Sequence, residues 1–268
     1  MFQITPVVKS LLILNIGFFL VTMVLGQGAS NALALYYFQS ENFRFYQIAT
    51  HFFMHAGFMH IFFNMYALVM FGSYVEKLWG GKKFLFYYIF CALGAAILHT
   101  AYTYYHISGM QELAVAFRDM PDANTFTKFL GKANLDFLTT EGKNLVSNLE
   151  SALRKSTNGE AVQQAYSIMQ ELIGMEMNIP IVGASGAVYG ILVAFGLLFP
   201  NAELMLIFLP IPIKAKYFIP VLMVIEFILG VNQYSWDNIA HFAHLGGALF
   251  GIILILFWTK NDQSYRIN

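Results

Sequence analysis

Six stretches of the chain are apolar enough to be candidate crossings of a hydrocarbon core, which takes about 20 helical residues. They lie at 10–26, 57–72, 84–104, 183–199, 217–231 and 239–258. Between the third and fourth the pattern changes. Residues 144–154 and 161–173 carry apolar side chains near three- and four-residue spacing, the mark of amphipathic helices with one solvated face. Pro121 and the run Ser156-Thr157-Asn158-Gly159 read as breaks. The expected fold is an all-α membrane protein, a six-transmembrane-helix bundle with a soluble helical extramembrane insert. The expected division is 1–105 for the first three spans, 106–179 for the insert, and 180–268 for the last three spans and a tail. The first stretch lacks a following A-x-A-type cleavage site and precedes five more spans, so it reads as a span rather than a signal peptide.

Composition sharpens this picture. The 268 residues are 58% hydrophobic, against roughly 45–50% in ordinary soluble domains. Only 11% are charged, where about 25% is usual. Half of the charged residues fall within 106–178, so the apolar body is poorer still. The formal net charge is zero, which gives no global field to attract nucleic acid. A single cysteine, Cys91, excludes an intrachain disulfide framework and a cysteine-based zinc cluster. With six helices both termini share a side. That side would hold Lys9, Lys77, Lys82, Lys83, Lys214, Lys216, Lys260 and Arg266, and the other side, outside the insert, only Arg44. The positive-inside rule then puts the termini in the cytoplasm and the insert outside.

Polar side chains within spans are expensive and are functional candidates by default. The fourth span opens Gly183-Ala184-Ser185-Gly186-Ala187-Val188-Tyr189-Gly190. Gly186 and Gly190 form a small-xxx-small pair that suits close helix packing. Ser185 sits where the span begins, and helix N-terminal N–H groups there suit a developing oxyanion. In the sixth span, His244 shares a face with Gly247 and Gly251, and His241 lies near it. Such a histidine is either a structural hydrogen-bond donor or a general base. His60 and Asn64 are four residues apart on the second span and can both donate hydrogen bonds. His51 and His55 belong to the loop before it. A metal site built on these histidines is disfavoured, because no carboxylate is interleaved and no H-E-x-x-H motif exists. Glu226, alone in the fifth span, is weak evidence for an ion path. No aspartate lies mid-span, which excludes a two-aspartate intramembrane protease.

The order Gly183-Ala184-Ser185-Gly186, then Ala243-His244-x-x-Gly247-x-x-x-Gly251, together with His55-x4-His60-x3-Asn64, resembles the rhomboid family of intramembrane serine proteases. The resemblance covers 1–105 and 180–260. It implies Ser185 as nucleophile and His244 as its base, a dyad without an aspartate. His244 is preferred to His241 because only it carries the following glycine pattern. The resemblance also implies oxyanion stabilisation by His60, Asn64 and the Ser185 N–H, with Tyr189 stacked beside the histidine and Gly183 two residues before the serine. Glu76-x-x-Trp79-Gly80 resembles the polar turn after the second span and reads as structural. The chain departs from the family in having Tyr46 and Gln47 where a Trp-Arg pair is frequent, and in the long insert.

What the resemblance implies is an endopeptidase that cleaves transmembrane segments of other membrane proteins through an acyl-enzyme. No cofactor, metal or nucleic acid is expected, and the partners are transmembrane substrates and the bilayer. Substrate entry past the fifth span would make residues 231–236 a lid, with Phe227, Gln233 and Trp236 as gate residues. Gln47, His51 and His55 are candidates to hydrate the site. The expected location is a bacterial inner membrane, with the site opening to the outer face. Two rivals are weighed: a catalytically dead relative, disfavoured because Ser185 and His244 are both present, and a small transporter, disfavoured because no internal symmetry is seen. The insert reads as a solvated appendage, with substrate capture or regulation as the alternative.

Overall fold

The computed structural model describes residues 3–156, 159–206, 209–232 and 239–261. Among the described residues, five helices are long and apolar enough to cross a membrane: Pro6–Leu25 (α1), Phe58–Trp79 (α2), Gly81–Asp119 (α3), Ala215–Asn232 (α5) and His241–Asn261 (α6). The remaining apolar helix, Ser185–Leu198 (α4), has only 14 residues. At 1.5 Å per residue it is about 21 Å long, short of the roughly 30 Å hydrocarbon core. The chain is an integral, multi-pass membrane protein with an all-α bundle. One small antiparallel hairpin, Glu203–Leu206 with Leu209–Lys214, joins α4 to α5 and was not expected from the sequence.

The burial pattern separates these helices. Large apolar side chains of α1, α5 and α6, among them Val24, Val221, Phe227 and Phe257, are exposed. A water-soluble protein rarely shows such contiguous surface, whereas lipid solvates it. In α4, by contrast, ten of the 14 residues are buried. It is therefore the central helix. Its short length and non-helical approach are tolerated because protein rather than lipid surrounds them.

Glycines make that central position possible. A Cβ at Gly247 would run into the Gly186 carbonyl oxygen, and one at Gly190 would meet Cys91 and lie 3.1 Å from the Gly247 carbonyl oxygen. A Cβ at Gly246 would come within 2.7 Å of the Gly94 oxygen. The backbones of α3, α4 and α6 thus touch, which is what small-xxx-small spacing permits. Tyr87 on α3 donates to the Gly190 carbonyl at 2.8 Å and ties the third helix to this contact. Elsewhere, α2 passes through a π-helical turn, Leu68–Gly72. A Cβ at Gly72 would lie 3.2–3.3 Å from Phe84, Val8 and Leu68, so α1 and α3 crowd that turn.

One end of the bundle is fixed by Glu76. Its carboxylate accepts from the Val7 and Val8 amides at 3.0 and 2.9 Å, and from the Thr5 hydroxyl. An anion at the N-terminus of α1 satisfies orphan donors and complements the helix dipole. At the same end Trp79 packs on Trp258, with ring centroids 5.3 Å apart, and the Lys83 ammonium lies 4.2 Å above the Trp258 ring. The start of α1 and the end of α6 therefore share this end.

The chain divides into two compact units. The first comprises Met1–Leu35, Arg44–His99 and Ile181–Asn268, and holds the bundle core just described. The second comprises Tyr36–Phe43 and Thr100–Pro180. Helices Ala123–Leu130, Thr140–Lys155 and Gly159–Met177 surround its own core of Ile107, Met110, Phe117, Phe126, Phe129 and Met169. The break expected at Pro121 falls between two helices, and Asp122 caps the second of them. Its carboxylate accepts from the Asn124 and Thr125 amides and from the Thr125 hydroxyl.

Two outcomes follow from this packing. Gly247→Val should lower the melting temperature of detergent-solubilised protein, because overpacking a closed contact costs about 1–3 kcal/mol or more. Asp122→Ala should cost about 1 kcal/mol and loosen residues 123–130 to hydrogen exchange. The Thr125 hydroxyl, then the Thr125 amide, hold the Asp122 carboxyl below its usual range. The cap therefore contributes at neutral pH and fades as pH falls below about 4.

Candidate active site

The chemistry-bearing residues gather at the other end of the bundle, where α6 begins and α4 starts. Ser185 is the first residue of α4. Its amide, like those after it in the first turn, has no helical acceptor and points out of the helix. Gly183 sets the approach. Its φ of 128° lies where L side chains are strained, and its amide donates to the His51 carbonyl at 3.0 Å. A Cβ there would lie 3.0 Å from the Cε1 and Nε2 atoms of His60 and 3.4 Å from Ser185 Oγ. The absent side chain thus leaves a common space between the His60 ring and the serine hydroxyl.

His60 lies near the start of α2 and faces this space with a defined edge. Its Nδ1 accepts from the Ala56 amide at 3.3 Å, which puts the proton of the neutral ring on Nε2. Nε2 is therefore a donor, on the ring edge beside Gly183. Asn64, one turn later, is buried, and its Nδ2 has no hydrogen-bond partner among the described residues. A buried amide donor without a partner is costly and marks either strain or function.

His244 is held from two sides. Tyr189 of α4 stacks on its ring, with centroids 4.1 Å apart and planes 7° from parallel. Its Nδ1 lies 2.9 Å from Glu226 Oε2. The same oxygen meets His241 Nδ1 at 2.6 Å, and Glu226 Oε1 accepts from the Tyr189 hydroxyl. With Nδ1 committed to a carboxylate, His244 leaves Nε2 as the acceptor. The Ser185 hydroxyl itself has no hydrogen-bond partner among the described residues, and resting enzymes commonly hold such pairs loosely until substrate binds. Ser185 and His244 flank the contact between α4 and α6: a Cβ at Gly186 would lie 3.3 Å from the Ala243 carbonyl oxygen.

A rhomboid domain model matches residues 42–115 and 161–261, well over half of the chain. The chain belongs to the rhomboid family. It is 38% identical over 78 residues to an uncharacterized mitochondrial rhomboid protein of Schizosaccharomyces pombe, covering 29% of this chain and 20% of that protein. It is 34% identical over 87 residues to the mitochondrial rhomboid protein 1 of Saccharomyces cerevisiae, covering 32% of this chain and 25% of that protein. The chain thus matches a quarter or less of the length of these curated relatives. Both are mitochondrial by name, which lends no support to a bacterial inner membrane.

Within this rhomboid, side chains of the loop before α2 bond to backbone. Gln47 is 1% exposed; its Oε1 accepts from the Arg44 amide at 2.9 Å and its Nε2 donates to the Ala32 carbonyl at 3.2 Å. His51 is also buried, with Nδ1 on the Gln47 carbonyl at 2.8 Å. The Gln47 amide and His51 Nδ1 thus both hold backbone. Gln47 anchors the loop where the family's Trp-Arg pair is absent. His55 stands edge-on to His60, ring centroids 5.1 Å apart, with its buried Nε2 unpartnered among the described residues. Burial pushes His51 and His55 down to about 4, so both rings are neutral at physiological pH.

Of the proposed gate residues, Phe227 is exposed on α5, while Gln233 and Trp236 lie outside the described residues. Glu226, by sequence only weak evidence for an ion path, is the residue whose surroundings the structure changes most. The available signal was pairing: an acid within an apolar span requires donors, and Tyr189, His241 and His244 were the intramembrane candidates. Glu226, His241 and His244 also offer ligand atoms within 4.8 Å of one another, but their 2.6 and 2.9 Å contacts are those of hydrogen bonds. Gln47→Ala should remove both loop bonds, cost about 1–3 kcal/mol, and raise hydrogen exchange at the Arg44 amide.

Proposed function

We propose that this rhomboid is an intramembrane serine endopeptidase that cleaves transmembrane segments of other membrane proteins. The observation that carries the reading is the shared space at Gly183, where the Ser185 hydroxyl faces the donor edge of His60 at the start of a buried helix.

In the reaction, His244 Nε2 takes the Ser185 proton as Oγ attacks a substrate carbonyl. His60 Nε2–H, the Asn64 amide and the Ser185 N–H receive the developing oxyanion. Preorganised donors of this kind act at the point where charge appears, and losing one typically costs about 10²–10³ in rate. His244 then protonates the leaving amine, and water releases the acyl group. An intact transmembrane helix satisfies its own backbone, so the scissile segment must unwind locally near the interface. The excess of Lys and Arg at the end of the bundle away from the site supports cytoplasmic termini and a site that opens to the opposite face.

Purified protein with a model transmembrane substrate tests this. Ser185→Ala should abolish cleavage with unchanged melting, His244→Ala should abolish cleavage while also lowering melting because Glu226 loses a buried partner, and Asn64→Ala should slow cleavage roughly 10²-fold. Robust cleavage by Ser185→Ala would overturn the assignment.

A further inference from the structure

The resemblance implies a two-residue machinery, but the fifth helix supplies a buried carboxylate to the histidine. We propose that Glu226 is a positioning residue for His244, so that the site works as a Ser185–His244–Glu226 array rather than as an isolated dyad. The proposal rests on the protease reading above.

Local geometry explains how α5 delivers this group. A Cβ at Gly230 would lie 3.0 Å from His241 Cβ and 3.3 Å from the Phe242 ring, so the glycine lets α5 and α6 approach closely. Glu226 is one turn before Gly230 and shares its face. His241 and His244 are three residues apart and share a face of α6. The glutamate therefore meets both rings, at 2.6 and 2.9 Å, with its side chain only 8% exposed.

The hydrogen bonds define the protonation pattern. An ionised carboxylate is acceptor-only and offers about four lone-pair positions. Tyr189 O–H, His241 Nδ1–H and His244 Nδ1–H supply three donors. Each imidazole must then carry its proton on Nδ1, which fixes the tautomer that His244 needs as a base. Tyr189 has two parts in this: its ring stacks on His244 and its hydroxyl holds the other carboxylate oxygen.

The array also matches the charge changes of the reaction. Before attack, the cluster holds one negative charge in a low-dielectric site. When Nε2 takes the Ser185 proton, the Oγ–C bond forms and the carbonyl electron pair becomes the oxyanion. The imidazolium keeps its Nδ1 proton and is paired with the Glu226 carboxylate, which stays ionised. The Nε2 proton passes to the amide nitrogen as the C–N bond breaks, and the neutral ring returns to its starting tautomer. In the Ser-His-Asp arrangement, replacing the acid by its amide imposes the wrong tautomer and lowers kcat about 10⁴-fold.

The test uses the full chain reconstituted in vesicles, a fluorogenic transmembrane peptide and a fluorophosphonate that labels an activated serine. Glu226→Gln should lower kcat and the labelling rate roughly 10²-fold or more with KM near wild type, because an interaction of the transition state is lost. Glu226→Asp, which withdraws the carboxylate by about 1.5 Å, should recover part of that loss. Should Glu226→Gln fail to fold, the aspartate variant alone decides: a lowered kcat at constant KM supports the proposal and wild-type kcat overturns it. Wild-type kcat in folded Glu226→Gln, with Ser185→Ala inactive, overturns the positioning role alone. A loss confined to KM, or a loss that tracks melting with no recovery by aspartate, also overturns it. Cleavage and labelling that persist in Ser185→Ala would instead remove the protease reading itself.

Discussion

Backbone contact between α4 and α6 is the constraint on which the rest of this bundle depends. Within a bilayer, apolar side chains gain little by leaving lipid for protein, so close packing and hydrogen bonds must hold helices together. Gly186, Gly190 and Gly247 let the two backbones touch, and a side chain at Gly247 would occupy the Gly186 carbonyl. Ser185 precedes that contact by one residue and His244 by three. The contact that closes the bundle therefore also sets the separation of the proposed nucleophile and base.

Around this contact, several buried polar side chains hold backbone groups. Glu76 neutralises the start of α1, Gln47 and His51 clamp the loop before α2, and Tyr87 ties α3 to Gly190. Each leaves a rigid frame around the groups that keep unspent capacity, namely His60 Nε2, Asn64 Nδ2 and the Ser185 hydroxyl. Gln47 and His51 belong to the bonded class. The cluster of Glu226 with Tyr189, His241 and His244 belongs to both classes, because it fixes an imidazole while leaving one nitrogen free.

Much of this organisation was legible in the sequence. Long apolar runs marked six candidate crossings in order, and five of them are helices long enough to cross, while the fourth is shorter. Glycine spacing marked the faces of the fourth and sixth spans, and the serine, histidine and asparagine positions matched one family's pattern. The amphipathic pattern of 144–173 marked helices with one solvated face, now seen as Thr140–Lys155 and Gly159–Met177.

Tertiary structure decided what depends on distances between separate segments. Whether Glu226 is an ion ligand or a partner of His244 turns on how closely α5 and α6 pack at Gly230, some forty residues from Tyr189, and no local pattern encodes that approach. The roles of Gln47 and His51 turn on which backbone groups lie within 3.2 Å of them. Residue types and spacing determined which chemistry was available and on which helix it stood. Packing decided which atoms meet, because a hydrogen bond is made or lost within a few tenths of an ångström while helical periodicity fixes only a face.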